Sequence, residues 1–181
     1  MHASPVAPQA GMIALANGLN VVADFGVDDA PQCDLVIVTG GPGWIKQAEA
    51  PATLDYIRRV RARGRIASVC TGAMILAASG ILDGGPATTK REVAPPEVSP
   101  LEVMRTKYPE IDTRAAMLVD RGGGLVTGGG VSLCIDTTLY LLAEMLGQHV
   151  ADETARIMEY TRSWRANREG FAPVLSPHRQ R

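Results

Sequence analysis

Residues 65–80 read RIASVCTGAMILAASG. The first part is a short apolar run, which predicts a buried strand, and the second is rich in alanine, which predicts a helix that ends at Gly80. Cys70 lies at the junction, with Ser68 two residues before it and Gly72 two residues after it. This spacing is typical of a nucleophile elbow, a tight strand-to-helix turn without room for side chains at the flanking positions.

An elbow would place Cys70 over the amino end of a helix, where backbone N–H groups and the helix dipole stabilise a thiolate. The alternative is a buried structural cysteine, which is the commoner fate of a free thiol. The flanking small residues favour the nucleophile. Cys33 precedes a predicted buried strand and Cys134 lies in a predicted packed helix, so we expect both to be structural.

Composition excludes several classes of protein. The 181 residues suit one domain, and the net charge of −1 gives no electrostatic reason to expect nucleic-acid binding. The three cysteines do not suggest a disulfide framework, and no metal-ligand spacing appears, so we expect neither a metal nor a cofactor. No apolar run is long enough for a membrane span and no signal peptide is evident, which makes the cytoplasm the expected location.

A second apolar run lies ahead of the elbow. Residues 35–39 are a continuous β-branched run, typical of a strand buried on both faces of a parallel sheet. Gly40-Gly41-Pro42-Gly43 follows, and such a turn can offer backbone N–H groups to a ligand. For these glycines alone a plain strand-to-helix turn is the better interpretation. The run does not match a nucleotide-binding loop.

The remaining patterns complete an α/β order. Hairpins are predicted around Asn17-Gly18, as a type I′ turn, and around residues 120–124. Helices are predicted over 51–63, 99–107, 132–146 and 152–165. Residues 11–165 are thus predicted to form one domain, with flexible ends at 1–10 and 166–181.

Four segments together resemble one family. They are residues 34–43, residues 68–73, residues 80–89 with their Thr88-Thr89 pair, and residues 125–136 with the Thr-Gly-Gly-Gly motif. The chain resembles the ThiJ/PfpI superfamily, and within it the isocyanide (isonitrile) hydratases and the ligand-binding domains of AraC-type regulators. The resemblance implies a flavodoxin-like, doubly wound parallel α/β sandwich of the class I glutamine-amidotransferase type. It also implies a homodimer that takes a small-molecule substrate or ligand.

Two departures from the family pattern affect the expected site. Relatives usually begin with a strand-helix-strand unit that brings an acidic residue to the cysteine, and we expect this chain to lack that unit. Many relatives carry His-Trp after the threonine pair, where this chain has Lys90-Arg91. His2, His149 and His178 lie outside the matching segments, so a structural role is the better interpretation for each.

The resemblance implies hydration of an isonitrile to an N-substituted formamide, with Cys70 as the nucleophile. The Thr71 hydroxyl would orient water or substrate, and the backbone N–H groups of Gly41 and Thr71 would stabilise the developing charge. Two alternatives stay open: a small-molecule-sensing domain like those of AraC-type regulators, and a truncated, catalytically impaired member with a reactive thiol. Without the opening unit, the strand at residues 35–39 should have one unpaired edge, so the chain would either self-associate through this edge or be marginally stable and aggregate.

Overall fold

The computed structural model describes residues 2–176 as eleven strands and seven helices. The strands are β1 Val6–Ala7, β2 Gly11–Ala14, β3 Asn20–Ala23, β4 Phe25–Gly26, β5 Leu35–Val38, β6 Arg65–Ser68, β7 Pro86–Ala87, β8 Asp112–Thr113, β9 Leu118–Asp120, β10 Leu125–Gly128 and β11 Val174–Leu175. The helices are α1 Trp44–Gln47, α2 Pro51–Arg63, α3 Gly72–Ala78, α4 Pro100–Lys107, α5 Leu133–Leu146, α6 Gln148–Ile157 and α7 Thr161–Gly170. Within the described part of the chain, no helix is long and apolar enough to cross a membrane.

Five strands form the main sheet, in the order β11-β9-β10-β6-β5. Strands β5, β6 and β10 run parallel, and β9 is antiparallel to β10. Neighbouring residues of one strand point to opposite faces, and each face has its own core. Ile66 packs with Ile57 of α2 and Met74 of α3, whereas the adjacent Ala67 packs with Leu118 and with Leu141 of α5. A sheet covered on both faces confirms the predicted α/β class.

The hairpin β2–β3 is confirmed, but its predicted type I′ turn is wrong. Ala14 pairs with Asn20, and the Leu15 amide donates to the Leu19 carbonyl at 2.7 Å, which leaves a three-residue connection. Gly18 occupies its last position with φ +85°. A three-residue hairpin loop places its glycine at the last position in this left-handed conformation. The prediction was wrong because it took Asn17-Gly18 as the whole two-residue loop, whereas the loop also includes residue 16.

Parts of the expected flexible ends are folded. The helix predicted over 152–165 is two helices, α6 and α7, separated at Glu159, whose φ is +55°. Helix α7 continues to Gly170 and buries Trp164, and β11 then pairs with β9. At the other end, β1 pairs with β4. Residues 177–181 lie outside the described range, and the domain limits of 11–165 stay a prediction.

Strand β5 lies at one edge of the main sheet. In the described range it pairs with β6 alone, which agrees with the expected open edge. Its residues are therefore half-buried or exposed, contrary to the expectation of burial on both faces. Ile37 is 38% exposed.

Candidate active site

Cys70 lies between β6 and α3 in a left-handed backbone conformation, with φ +54°. This conformation costs a non-glycine residue about 1–3 kcal/mol, so its surroundings must hold it. The Cys70 amide donates to the Gly129 carbonyl at 3.0 Å, and the Thr89 hydroxyl donates to the Cys70 carbonyl at 2.9 Å. The backbone of the cysteine is thus fixed from two sides, by the turn after β10 and by the segment after β7.

Contacts with the turn after β5 explain the small residues around the elbow. A Cβ atom on Gly72 would lie 2.1 Å from the Val38 carbonyl oxygen, and one on Gly40 would lie 2.6 Å from the Thr71 amide nitrogen. Both distances are impossible for a real side chain. The elbow and the glycine turn are therefore in direct backbone contact.

The Cys70 thiol lies in surroundings that favour the thiolate. A hydrogen bond from the Cys134 thiol is the largest cause, and backbone N–H groups of Val131 and Thr71 and the positive charge of Lys90 act in the same direction. Partial burial opposes them. The balance lowers the pKa of Cys70 to about 5, so this cysteine is a thiolate at neutral pH.

Cys134 was missed as a neighbour of Cys70. It is half-buried in the first turn of α5, and its Sγ atom lies 3.8 Å from the Gly129 carbonyl oxygen that also accepts from the Cys70 amide. The Cys70 side chain and burial raise the pKa of Cys134 well above its usual value, so Cys134 keeps its proton. The sequence signal was its position directly after the Gly128-Gly129-Gly130 turn. Cys33, also expected to be structural, is exposed.

The predicted oxyanion-stabilising groups lie together, with their donors already engaged. The Gly41 amide donates to the Thr71 hydroxyl at 2.9 Å, and the Thr71 amide is one of the groups that lower the pKa of Cys70. Thr71 thus links the glycine turn to the elbow. A bound substrate would have to displace the threonine hydroxyl to reach the Gly41 N–H.

A cleft of about 220 Å³ is lined by Thr89 and Gly129, which contact the Cys70 backbone, but Cys70 itself is not among its lining residues. Its lining mixes apolar and polar side chains, from residues 88–92, 115–116 and 129–133 together with Asn167 and Phe171. Lys90, in the place where many relatives have histidine, contacts both carboxylate oxygens of Glu97 at 2.9 Å. His2 and His149 are exposed, and His178 lies outside the described residues.

A buried acid lies on the same side of the molecule. Asp136 of α5 is fully buried, and its Oδ2 atom accepts hydrogen bonds from Tyr160 and from Asn167, both at 3.0 Å. Burial nevertheless raises its pKa above the usual range. Asp136 thereby joins α5 to α7 and positions Asn167 at the cleft. Over residues 2–176, no cluster of His, Cys, Asp or Glu could hold a metal ion.

Comparisons with known proteins identify the family of this chain. The sequence matches the model of the DJ-1/PfpI family over residues 1–144. It is 32% identical to isonitrile hydratase from Pseudomonas putida over 82% of this chain and 61% of that protein. It is also 32% identical to the HTH-type transcriptional regulator GlxA from Rhizobium meliloti, over 81% of this chain and 43% of the regulator.

A solved structure gives the same result. The crystal structure of a ThiJ/PfpI family protein from Pseudomonas syringae superposes with a TM-score of 0.74 at 26% identity, covering 87% of this chain and 62% of the other. The chain thus spans less than two thirds of the length of each of these three proteins. The expected flavodoxin-like fold and the resemblance that predicted it are confirmed, and the chain belongs to the DJ-1/PfpI family.

Proposed function

We propose that this protein hydrates an isonitrile to an N-substituted formamide. The observation that carries the proposal is the thiolate of Cys70, held at a strand-to-helix elbow whose backbone partners Thr89 and Gly129 line a cleft of about 220 Å³. The similarity to isonitrile hydratase supports the choice of reaction.

In the proposed reaction, the Cys70 sulfur attacks the terminal carbon of the isonitrile and a proton is added to that carbon, which gives a thioimidate. Water then adds to the C=N bond. Collapse of the adduct breaks the C–S bond, returns the thiolate and releases the formamide, so that one water is consumed for each isonitrile. The Thr71 hydroxyl would orient the water, and the N–H groups of Thr71 and Gly41 would stabilise developing charge.

Cys134 is the proton-bearing side chain that lies near the nucleophile, against the Gly129 carbonyl that accepts from the Cys70 amide. The Cys70 side chain is the largest cause of its raised pKa. Once the Cys70 sulfur bonds to carbon, that negative charge is gone and Cys134 becomes a stronger acid. We therefore assign proton donation to Cys134, the role that an acidic residue fills in the resemblance.

The experiment is a steady-state assay of formamide release from a simple alkyl isonitrile. We expect turnover by the native chain and none by Cys70→Ala or Cys70→Ser, because an alkoxide is much harder to form than a thiolate. Cys33→Ser, which alters an exposed thiol before β5, is the matched control and should keep full activity. Turnover by Cys70→Ala would contradict covalent catalysis.

A second candidate is a small-molecule-sensing domain, favoured by the similarity to the GlxA regulator. Saturable binding of a small molecule in the cleft, without turnover and without dependence on Cys70, would favour it. Alkylation of Cys70 without turnover or binding would instead indicate a catalytically impaired member. With each alternative we propose a homodimer located in the cytoplasm.

A further inference from the structure

Two cysteines, from distant parts of the chain, meet at the carboxyl end of β6. The Cys70 amide lies 3.0 Å from the Gly129 carbonyl oxygen, and the Cys134 Sγ atom lies 3.8 Å from the same oxygen. The two thiols also shift each other's pKa in opposite directions, down for Cys70 and up for Cys134. We propose that Cys70 and Cys134 form a reversible disulfide when the protein encounters a hydroperoxide.

The protonation states of the pair suit this chemistry. A peroxide oxygen is attacked by a thiolate, and the lowered pKa of Cys70 supplies one at neutral pH. Cys134 keeps its proton and lies against the same Gly129 carbonyl as the Cys70 amide, which places it near the reactive cysteine as a resolving cysteine must be. Both side chains are half-buried, so a small peroxide can reach Cys70 while bulky reagents are hindered.

The third cysteine provides a control within the same chain. Leu35 pairs with Arg65 and Val38 pairs with Ser68, so Cys33 lies beyond the amino end of β5 while Cys70 follows the carboxyl end of β6. A four-residue strand separates these two ends by roughly 13 Å. A disulfide requires Cα atoms within about 7 Å, so Cys33 cannot join the pair without rearrangement of the sheet.

The reaction balances in two steps. The Cys70 thiolate attacks the outer oxygen of the hydroperoxide, the O–O bond breaks, and the departing oxygen takes up a proton and leaves as water or an alcohol. The Cys134 sulfur then attacks the resulting sulfenic acid, the S–O bond breaks, and the hydroxyl leaves as water with the Cys134 proton. Two electrons pass from the sulfur pair to the peroxide. A dithiol reductant reverses the step by thiol–disulfide exchange.

The disulfide would remove the nucleophile whatever molecule the cleft binds, so the proposal does not depend on isonitrile hydration. Its formation requires Cys134, in the first turn of α5, to move towards the elbow. The turn before α5 contains Val131, which is 72% exposed and holds φ +47°. A strained, exposed residue at this point can move without disturbing the core.

The experiment treats the native protein with one equivalent of hydrogen peroxide, followed by alkylation, digestion and mass spectrometry. We expect a Cys70–Cys134 linked peptide, an intact mass lower by two hydrogen atoms, and full recovery of both thiols with dithiothreitol. Cys33→Ser should give the same linked peptide. In Cys134→Ser we expect a Cys70 sulfenic acid that dimedone traps, followed by higher oxides.

Other outcomes would overturn the proposal. These are conversion of native Cys70 directly to the sulfinic acid, a linked peptide containing Cys33, or identical oxidation products in the native protein and Cys134→Ser. The sulfinic acid and the peptide linked through Cys33 would both be detected in the native protein. The test therefore remains valid even if a variant folds poorly. Every measurement in this experiment is the mass of a cysteine-containing peptide or of the intact protein. A negative hydration assay therefore does not affect the result.

Discussion

Strands β5 and β6 are neighbours of equal length, yet the more apolar one is the less buried. β5 reads LVIV and is half-buried, with Ile37 at 38% exposure. β6 reads RIAS, and its last three residues are fully buried between two cores. The difference is the number of neighbours, because β6 pairs on both sides and β5 pairs on one. Burial of a strand is thus set by its place in the sheet as well as by its composition.

The two sides of the elbow, towards β5 and away from it, also contribute differently to the site. The groups that stabilise the Cys70 thiolate come mainly from the side of the elbow away from β5, here called the interior side: Cys134 in the first turn of α5, Val131 in the turn before it, and Lys90 in the segment after β7. The β5 side contributes backbone contacts with Gly40 and Gly41. We infer that the interior side sets the acidity of the thiol, whereas the β5 side sets the shape of the elbow.

The largest expected effect comes from filling the contact between the two strands. Gly72→Ala would place a methyl group 2.1 Å from the Val38 carbonyl oxygen, and the backbone must move to accept it. We expect a loss of at least about 2 kcal/mol in the free energy of unfolding, measured by urea denaturation. Gly43→Ala is the matched control, since its Cβ has open space and its φ is −70°, and should change stability by less than about 0.5 kcal/mol. Equal losses in both variants would show that the contact is loose.

The second prediction removes the main hydrogen bond on the interior side. Cys134→Ala should raise the pKa of Cys70 by about 1–2 units, because a hydrogen bond to a charged group contributes about 1.5–3 kcal/mol. In the native protein the alkylation rate of Cys70 should rise with pH to a plateau, with its midpoint near pH 5. Cys134→Ser keeps a donor and should shift this midpoint less. An unchanged pH profile in Cys134→Ala would mean that the two thiols are not coupled.

The sequence predicted the elements whose signals are local. Small residues around Cys70 and the apolar runs of β5 and β10 were enough for the α/β class, and Pro51 and Ser99-Pro100 located the starts of two helices. The sequence did not predict the contacts between segments that are distant along the chain. Cys134 looks like any core residue of α5 until the turn at Gly129 places it against Cys70. The break at Glu159 and the pairing of β11 likewise depend on tertiary contacts.

The third prediction concerns the open edge of β5. We expect the chain to self-associate there, because an apolar strand with one unpaired side can bind another strand. Ile37→Lys should weaken association by about tenfold, measured by sedimentation at several concentrations. Ile45→Lys, at a 56% exposed position of α1, is the control and should not. A compact monomer at all concentrations, with slow hydrogen exchange of the Val36–Val38 amides, would contradict the idea.

The smallest expected effect comes from the charge of Lys90. This charge favours the Cys70 thiolate, but it is the smallest of the causes that lower the pKa of Cys70. It is also partly neutralised by Glu97, whose two carboxylate oxygens lie 2.9 Å from the Lys90 Nζ atom. Lys90→Met keeps the aliphatic stem that packs against Gly130 and should raise the pKa of Cys70 by about half a unit or less. Glu97→Gln keeps the lysine charge and removes the neutralising one, so it should lower that pKa by a similar amount. The two variants therefore shift the midpoint of Cys70 alkylation in opposite directions, and 0.5 M salt should reduce both shifts if screening reaches the pair. Shifts of the same sign would mean that the substitutions act through the conformation of the cleft, and that the interior side controls the thiol by hydrogen bonds alone.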